Sequence, residues 1–326
     1  MARIVVTGAG GFLGKQVIDT MCKQNTLTIN GCSQRIESIL AVDRFIPDAF
    51  KSYQILNSIE GELSEIIRMY PTEFHAADVV VHLASAVSGE CEQYLDLGLD
   101  TNLTTGIELG RVIAASPKKP ILIFSSSLAI YGGTDGFPMP QLITDDVWPN
   151  PQNSYGAQKL MLELLYADLA RRQLISSRTV RLMTVVVRPG IPNNAASSFL
   201  SGMIREPLSG EESNIPVSPE IHVALNSPTQ AIDGLIQCMG ISNVDWGSPL
   251  GLNLPGIRVT VQQMIDALGA VGGSKATALL SRDIDPKIEQ IISGWPSRFE
   301  SKRAARLGLS STITFADVVR RFNDQI

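Results

Sequence analysis

The residues best suited to chemistry are a tyrosine and a lysine four positions apart at the start of a helical run. Tyr155 and Lys159 stand in the sequence YGAQKLMLELLY, and on a helix that spacing puts both side chains on one face, one turn apart. An ammonium group beside a phenol stabilises the phenolate and lowers the tyrosine pKa from about 10 toward the range of a working acid or base. Because Tyr-x-x-x-Lys is common on solvated helix faces, the pair alone does not identify an enzyme.

A run of three serines supplies a second group of polar side chains. Ser125, Ser126 and Ser127 stand at the end of the apolar run at residues 121–125. The carboxyl end of a strand is where a doubly wound sheet presents its reactive groups, although serines there also cap backbone groups in ordinary loops. A hydroxyl at this place is able to hydrogen-bond a substrate oxygen opposite the tyrosine.

Three glycines near the N-terminus have the spacing of a dinucleotide site. Gly8, Gly11 and Gly14 follow an apolar run at residues 3–7 and open a helical stretch. One glycine permits the turn, one lets a phosphate approach the backbone, and one lets the helix pack against the strand. A plain tight turn is the alternative, but the flanking strand and helix are the context that this fingerprint requires.

Asp43, at the end of the second apolar run, indicates which dinucleotide is bound. A carboxylate there accepts hydrogen bonds from the adenosine ribose and repels a 2′-phosphate, which favours NAD over NADP. The adjacent Arg44 leaves binding of a 2′-phosphate open as an alternative. Because the interval from Gly14 to Asp43 exceeds the usual ~20 residues, we expect an elongated helix and loop over residues 25–38.

The elements that must position these residues alternate along the first half of the chain. Apolar runs of strand length lie at residues 3–7, 39–43, 79–84, 121–125 and 178–188, and helical stretches lie at residues 14–23, 61–70, 102–115 and 154–173. Continuous apolar strands are typical of a sheet covered by helices on both faces. The pattern predicts an α/β fold with a doubly wound, parallel (Rossmann) sheet and right-handed crossovers.

The texture of the sequence changes after residue 190, where prolines interrupt a mixture of short elements. Such a segment often covers the carboxyl edge of the sheet, where open α/β sheets bind ligands. We therefore expect a Rossmann domain at residues 1–190 and a smaller, mixed α/β substrate-binding cap at residues 191–326, with the chain re-entering the sheet domain. Trp295 and Phe299 are expected to pack the C-terminal helices onto this cap.

Composition argues against several classes of protein. The 326 residues carry 27 Lys and Arg against 32 Asp and Glu, a formal net charge of −5, so we expect no nucleic-acid partner and no membrane-surface partner. No apolar run reaches the roughly 18 residues of a membrane-spanning helix. The four cysteines lack paired spacing, so neither a disulfide framework nor a metal site is predicted. We expect a cytoplasmic protein.

The motifs TGAGGFLG, SSSLAIYGG and YGAQK, in this order, resemble those of the extended short-chain dehydrogenase/reductase superfamily. The resemblance implies a catalytic set of Ser127, Tyr155 and Lys159. It also matches Asn102 to the helix asparagine that supports a proton-relay water in many members. It further implies a cofactor site, for NAD, formed by Gly8, Gly11, Phe12, Leu13, Gly14, Asp43, Leu83, Ala84, Ser125, Tyr155, Lys159 and Pro189.

Within this superfamily the substrate class is indicated by the second half of the chain. Nucleotide-sugar epimerases and dehydratases usually carry arginines just before a His-Val-x-Asp segment, whereas here no arginine precedes His222 and Asn226 stands near the aspartate position. The segments at residues 187–212 and 294–309 resemble instead a branch that oxidises a four-carbon sugar acid at C2 with NAD. We predict that reaction, giving a 2-keto acid, with Tyr155 as acid/base. Two alternatives stay open, a nucleotide-sugar epimerase or dehydratase with tightly bound NAD and a non-catalytic NAD-sensing protein.

A small sugar acid needs a cation or backbone donors for its carboxylate and small polar groups for its hydroxyls. Ser127, Asn193 and Ser197 have that chemistry, and Arg205 is the nearest downstream arginine. Their alternative interpretations are a polar turn with a helix cap and an ordinary surface arginine. In the branch resembled, a lysine commonly stands where this chain has Ile191, which leaves the exact acid open. The resemblance also implies a homodimer.

Overall fold

The computed structural model of the protein describes residues 1–190 and 195–326. Its strands are β1 (Ala2–Thr7), β2 (Thr26–Ile29), β3 (Cys32–Asp43), β4 (Leu56–Glu60), β5 (Val79–His82), β6 (Ile121–Ser127), β7 (Ser176–Leu182), β8 (Thr184–Val185), β9 (Ser213–Asn214), β10 (His222–Asn226), β11 (Leu252–Asn253), β12 (Ile257–Thr260) and β13 (Leu280–Ser281).

The α-helices are α1 (Phe12–Gln24), α2 (Leu63–Met69), α3 (Pro71–Ala76), α4 (Ser88–Gln93), α5 (Leu95–Gly98), α6 (Thr105–Ala114), α7 (Ser154–Arg171), α8 (Ser198–Leu208), α9 (Pro228–Gly240), α10 (Asn243–Trp246), α11 (Val261–Thr277), α12 (Pro286–Ser293), α13 (Lys302–Arg306) and α14 (Phe315–Asn323). A π-helical turn (Leu99–Thr104) leads into α6, and 3-10 turns occupy Asp48–Ser52 and Leu128–Ile130.

The central sheet is parallel in the order β11-β7-β6-β5-β1-β3-β4, with β2 antiparallel to the first part of β3. Its strands are apolar on both faces, as in β5, where every residue is buried. One face packs against α1 and α9, and the other packs against α2, α3, α6 and α7. The expected α/β fold with a doubly wound parallel sheet is therefore confirmed, since helices cover both faces.

The expectation of an elongated helix and loop over residues 25–38 is wrong. Helix α1 ends at Gln24, and β2 and the start of β3 form an antiparallel hairpin that extends the sheet. Its turn is Asn30-Gly31, with φ of 50° and 77°, the left-handed pair that two-residue hairpin turns require. The alternation of buried and exposed residues in β2 fits a strand with one covered face.

The predicted strand at residues 178–188 is two strands in different sheets. β7 ends at Leu182 within the central sheet, and β8 pairs in parallel with β10 in a small sheet of order β12-β10-β8. This sheet and helices α8, α11 and α14 share a second hydrophobic core. The chain also returns to the central sheet, because α9 and β11 pack within the first core.

Membrane spans and metal clusters are both absent from the described ranges. No helix in residues 1–190 or 195–326 is long and apolar enough to cross a membrane. The same ranges contain no group of three or more His, Cys, Asp or Glu side chains arranged to hold a metal ion.

Candidate functional site

The glycine turn is a tight passage between β1 and α1. Gly8 has a φ of +71°, and a Cβ added there would lie 2.5 Å from the backbone nitrogen of Ala84. A Cβ on Gly14 would lie 2.1 Å from the Gly8 carbonyl oxygen. No side chain caps the N-terminus of α1, so its first N–H groups are available to an anion. This geometry fits a dinucleotide pyrophosphate.

Asp43 is held at the edge of the same turn. Its Oδ2 accepts a hydrogen bond from the Gly10 N–H at 2.9 Å, and its Oδ1 accepts one from the Phe45 N–H at 3.4 Å. Arg44 points into solvent, 4.0 Å from a Glu62 carboxylate oxygen. Asp43, Arg44 and Glu62 line a cavity of about 630 Å³. Asp43 therefore lies beside the glycine turn and lines the adjoining cavity.

A second cavity of about 370 Å³ lies on the other side of the glycine turn. The two cavities have five lining residues in common, namely Gly8, Gly11, Leu83, Ser85 and Ala86. The described residues therefore form a continuous groove over the carboxyl edge of the sheet, long enough for an extended dinucleotide.

Tyr155 and Lys159 lie in this second cavity because of how α7 begins. Asn153 caps the helix by accepting a hydrogen bond from the Gly156 N–H at 2.8 Å. A Cβ on Gly156 would lie 2.0 Å from the Ala129 carbonyl oxygen, so only glycine lets α7 approach the turn after β6. That approach brings Ser127, Tyr155 and Lys159 to one cavity wall.

The lysine is anchored to the neighbouring strand. The Lys159 ammonium donates a hydrogen bond to the Ser125 carbonyl oxygen at 3.0 Å. It lies 4.9 Å from the Phe124 ring centroid and 5.4 Å from that of Tyr155. Burial lowers the pKa of Lys159 to about 8, and the nearby Cys91 and Glu163 oppose that shift.

Burial is also the largest influence on the Tyr155 hydroxyl, and it raises the pKa of Tyr155 to about 12. The guanidinium of Arg188 lowers the pKa, and the neighbouring hydroxyls of Ser85 and Ser127 lower it further. Arg188 lines the cavity, and burial lowers its own pKa. The spacing in the sequence predicted Lys159 as the charge that favours the phenolate, whereas in this structure the cation that lowers the pKa of Tyr155 is Arg188.

Several predicted site residues line one or both cavities. They are Gly8, Gly11, Phe12, Leu13, Gly14, Asp43, Leu83, Ala84, Ser125, Ser127, Tyr155, Lys159 and Ser197. Asn102 is buried behind Ser85 and lines neither cavity. Pro189 is exposed and lines a separate small pocket beside α14. Asn193 and Ile191 lie outside the described residues.

The prediction for Arg205 does not agree with its position. Its Nη1 donates to the Arg188 carbonyl oxygen at 2.7 Å, and its Nη2 is 2.5 Å from a Glu206 carboxylate oxygen. The guanidinium is thus already paired with protein oxygens, and Arg205 is not among the described residues that line either cavity. It supports the backbone of Arg188, whose own side chain lines the cavity.

Sequence reasoning assigned no catalytic or substrate-binding role to three residues of this cavity. Arg188, Ser85 and Trp295 all line it with Tyr155. Trp295 packs against Leu128 beside the cavity, although the expectation was packing of the C-terminal helices alone. The family resemblance places the segments that hold Arg188 and Ser85 beside the cofactor, but no local pattern identifies any of the three residues as a neighbour of the tyrosine.

Comparison with known proteins identifies a family and several similar proteins. A model of the NAD dependent epimerase/dehydratase family matches residues 4–221. The chain is 36% identical over 319 residues to a D-erythronate dehydrogenase of Cupriavidus necator, covering 98% of this chain and 97% of that protein. It is 35% identical over 325 residues to a D-erythronate dehydrogenase of Haemophilus influenzae, covering 98% of each.

A solved structure, described as the nucleoside-diphosphate-sugar epimerase from Agrobacterium tumefaciens, is also similar. It superposes with a TM-score of 0.90 at 33% identity and covers 99% of this chain and 94% of that chain. A threonine dehydrogenase from Cupriavidus necator superposes with a TM-score of 0.83 at 15% identity, a likeness in fold alone.

Proposed function

The chain belongs to the NAD-dependent epimerase/dehydratase family and is an NAD-dependent oxidoreductase, and from that premise we propose its substrate and reaction. The substrate is a small sugar acid of the D-erythronate type. The reaction is oxidation of the C2 hydroxyl to the 2-keto acid.

The observation that carries this proposal is the guanidinium of Arg188 in the cavity of the acid/base tyrosine. Arg188 is fixed through its Nε, which donates to the Val185 carbonyl oxygen at 3.0 Å, and through its N–H, which donates to the Ser201 hydroxyl at 3.1 Å. Within residues 1–190 and 195–326, its terminal nitrogens donate to no protein acceptor. They are therefore able to receive a carboxylate.

The presence of Arg188 and Tyr155 in one cavity also favours C2 as the carbon that is oxidised. In a 2-hydroxy acid the carboxylate and the reacting hydroxyl are on adjacent carbons. Arg188 and Tyr155 line the same cavity, which is the arrangement that such a substrate needs. A bidentate arginine–carboxylate pair would also fix the orientation of the substrate.

Three further residues have separate roles in the proposed reaction. Tyr155 takes the proton of the C2 hydroxyl, and Ser127 holds the same oxygen by a hydrogen bond. Lys159, anchored on the Ser125 carbonyl oxygen, would hold the nicotinamide ribose when the cofactor is bound. NAD, when bound, supplies the hydride acceptor.

The nucleotide-sugar alternative is favoured by the similarity to the Agrobacterium epimerase structure. The chemistry of this cavity gives it less support. Asn226 is fully buried, where it accepts the Met183 N–H at 2.9 Å and donates to the Pro255 carbonyl at 3.0 Å. It therefore serves the fold and not a diphosphate, and Trp295 occupies part of the cavity wall.

A substrate panel tests the proposal. The purified enzyme with NAD would be offered four- and five-carbon aldonates and, separately, UDP-sugars, with NADH formation and sugar interconversion measured. We expect steady NADH formation with D-erythronate or a close aldonate. Interconversion of UDP-sugars without activity on any aldonate would reject the sugar-acid proposal in favour of the epimerase.

We also propose a homodimer formed through α7. Two apolar side chains on this helix are exposed, Met161 at 43% and Leu164 at 49%, although α7 carries the catalytic pair on its buried side. Light scattering of the wild type and of a Leu164→Glu variant would measure the mass of the particle. A wild-type monomer would reject this part of the proposal.

A further inference from the structure

The hydroxyl of Ser85 belongs to the cavity that holds the catalytic pair. Ser85 stands just after β5 and lines that cavity together with Tyr155. Its single hydrogen has two acceptors, the Asn102 Oδ1 at 3.0 Å and the Ala86 carbonyl oxygen at 3.0 Å. While the hydrogen points to either of them, the lone pairs of Ser85 are left to accept the hydroxyl hydrogen of Tyr155.

Both acceptors keep another donor if the Ser85 hydrogen turns away. The Asn102 Oδ1 also accepts the Ala86 N–H at 2.7 Å. The Ala86 carbonyl also accepts the Asn102 Nδ2 at 3.3 Å. The hydroxyl is thus able to rotate toward Tyr155 without leaving a buried acceptor unpaired, which would otherwise be costly.

Asn102 itself is fixed from the helix that carries the tyrosine. Its Nδ2 donates to the Gln158 Oε1 at 2.8 Å, and Gln158 is 1% exposed on α7 between the two catalytic residues. The π-helical turn Leu99–Thr104 places Asn102 at this junction, as π-turns frequently do at functional sites. Its amide oxygen and amide nitrogen both have protein partners.

We propose that Ser85 is a second catalytic hydroxyl, which donates to the Tyr155 oxygen when that oxygen is charged and accepts from it when it is protonated, with Asn102 as its positioning residue. The proposal rests on the proposed function only in taking Tyr155 as the acid/base. It gives Asn102 a role different from the water relay that the resemblance implied. No bond to carbon changes in this step. The Ser85 hydroxyl hydrogen rotates between its protein acceptors and the Tyr155 oxygen, while Tyr155 itself loses or gains a proton.

Other groups also act on Tyr155 and must be held constant. Lys159 lies on the same helix, Arg188 follows β8, and Cys91 on α4 opposes ionisation. None of them is changed by substitution of Ser85, so the effect of its hydroxyl is separable. Because that hydroxyl stabilises the phenolate, removal of it raises the pKa of Tyr155.

The test titrates Tyr155 directly in the NAD-bound enzyme by ultraviolet difference spectroscopy, with a Tyr155→Phe variant subtracted to isolate its signal. This readout needs no substrate, so inactivity toward aldonates would reject the proposed function and leave this result interpretable. We expect Ser85→Ala to lower the fraction of Tyr155 that is ionised at a fixed alkaline pH by up to about tenfold, which corresponds to a midpoint about one pH unit higher and to roughly the strength of one hydrogen bond to a charged group. Ser85→Thr, which keeps a hydroxyl, should restore most of the shift.

A cycle with Asn102→Ala separates positioning from general damage. We expect Asn102→Ala to shift the midpoint in the same direction, and the double variant to shift it no further than Ser85→Ala alone. Ser116→Ala is the matched control, since Ser116 is also buried and donates to a carbonyl, that of His75, far from the cavity. A wild-type midpoint in Ser85→Ala, or an equal shift in Ser116→Ala, would overturn the proposal.

Discussion

The cofactor side and the substrate side of the groove are built in different ways. The cofactor side uses backbone approach over a short stretch, since Gly8 and Gly14 leave no room for a Cβ and Asp43 is held by two backbone N–H groups. The substrate side uses side chains from distant segments, with Tyr155 on α7 and Arg188 after β8. The first is a matter of local geometry and the second of tertiary placement.

This difference has a functional consequence. A substitution on the cofactor side should change NAD affinity first, because we expect the glycine turn to hold the pyrophosphate and not the reacting carbon. Damage to the substrate side should change turnover or substrate binding while NAD affinity stays near its original value. A substitution on one side that changed the property assigned to the other side would show that the two sides are not independent.

Tyr155→Phe tests the substrate side most strongly. Loss of the hydroxyl removes the acid/base, so we expect kcat to fall by roughly a thousandfold, within the usual range for general acid–base catalysis. NAD affinity, measured by fluorescence titration, should change less than about twofold because the ring and its packing are kept. Turnover at the wild-type rate would refute the role given to Tyr155.

Arg188→Met removes the cation and keeps much of the side-chain volume. A charge-assisted hydrogen bond contributes about 2 to 3 kcal/mol, so kcat/KM for a sugar acid should fall by about a hundredfold. Part of the loss should appear in kcat, because Arg188 also lowers the pKa of Tyr155. A shift of the pH dependence of kcat toward higher pH would distinguish this effect on Tyr155 from a simple loss of substrate binding. Arg172→Met, on an exposed arginine after α7, is the control and should leave both parameters unchanged.

Gly8→Ala tests the cofactor side. The new methyl group would meet the Ala84 backbone at 2.5 Å, and the residue would keep a φ of +71°. Because the atoms in the way belong to the backbone and not to a flexible side chain, the turn must shift. We therefore expect NAD to bind about tenfold more weakly. Calorimetry measures this directly. At saturating NAD, kcat should recover most of its wild-type value; if it did not, the turn would also position the substrate side.

How much the sequence could predict follows the same division. The glycine turn, Asp43 and the tyrosine–lysine pair were predictable because each depends on neighbours close in the chain. The conformation of residues 25–38 was mispredicted although Asn30-Gly31 is a strong local hairpin signal. The long interval to Asp43 outweighed the turn residues in that prediction, and the turn residues were the better guide.

The substrate side was less predictable for a physical reason. Arg188 and Trp295 meet only because the chain crosses from the central sheet to the second core and returns. Arg205, close to Arg188 in sequence, forms an ion pair with Glu206 and does not line the cavity. Spacing along the chain does not distinguish the two arginines, since the choice between them depends on which one a neighbouring carboxylate neutralises.

Gly31→Ala makes the same substitution as Gly8→Ala at another positive φ, and we expect it to have the smallest effect. Gly31 has a φ of +77°, and a Cβ there would lie 3.3 Å from the Ser242 Cβ, close but not overlapping. The left-handed conformation should cost about 1 kcal/mol, which lowers the unfolding temperature by about 2 °C in a chain of this size. The Gly31 N–H also donates to the Gly240 carbonyl at 2.7 Å, so the hairpin is held on α9 and not on the cofactor turn. NAD affinity should therefore equal that of the wild type, and a tenfold weakening would mean that the cofactor side reaches beyond the local geometry of residues 8–14.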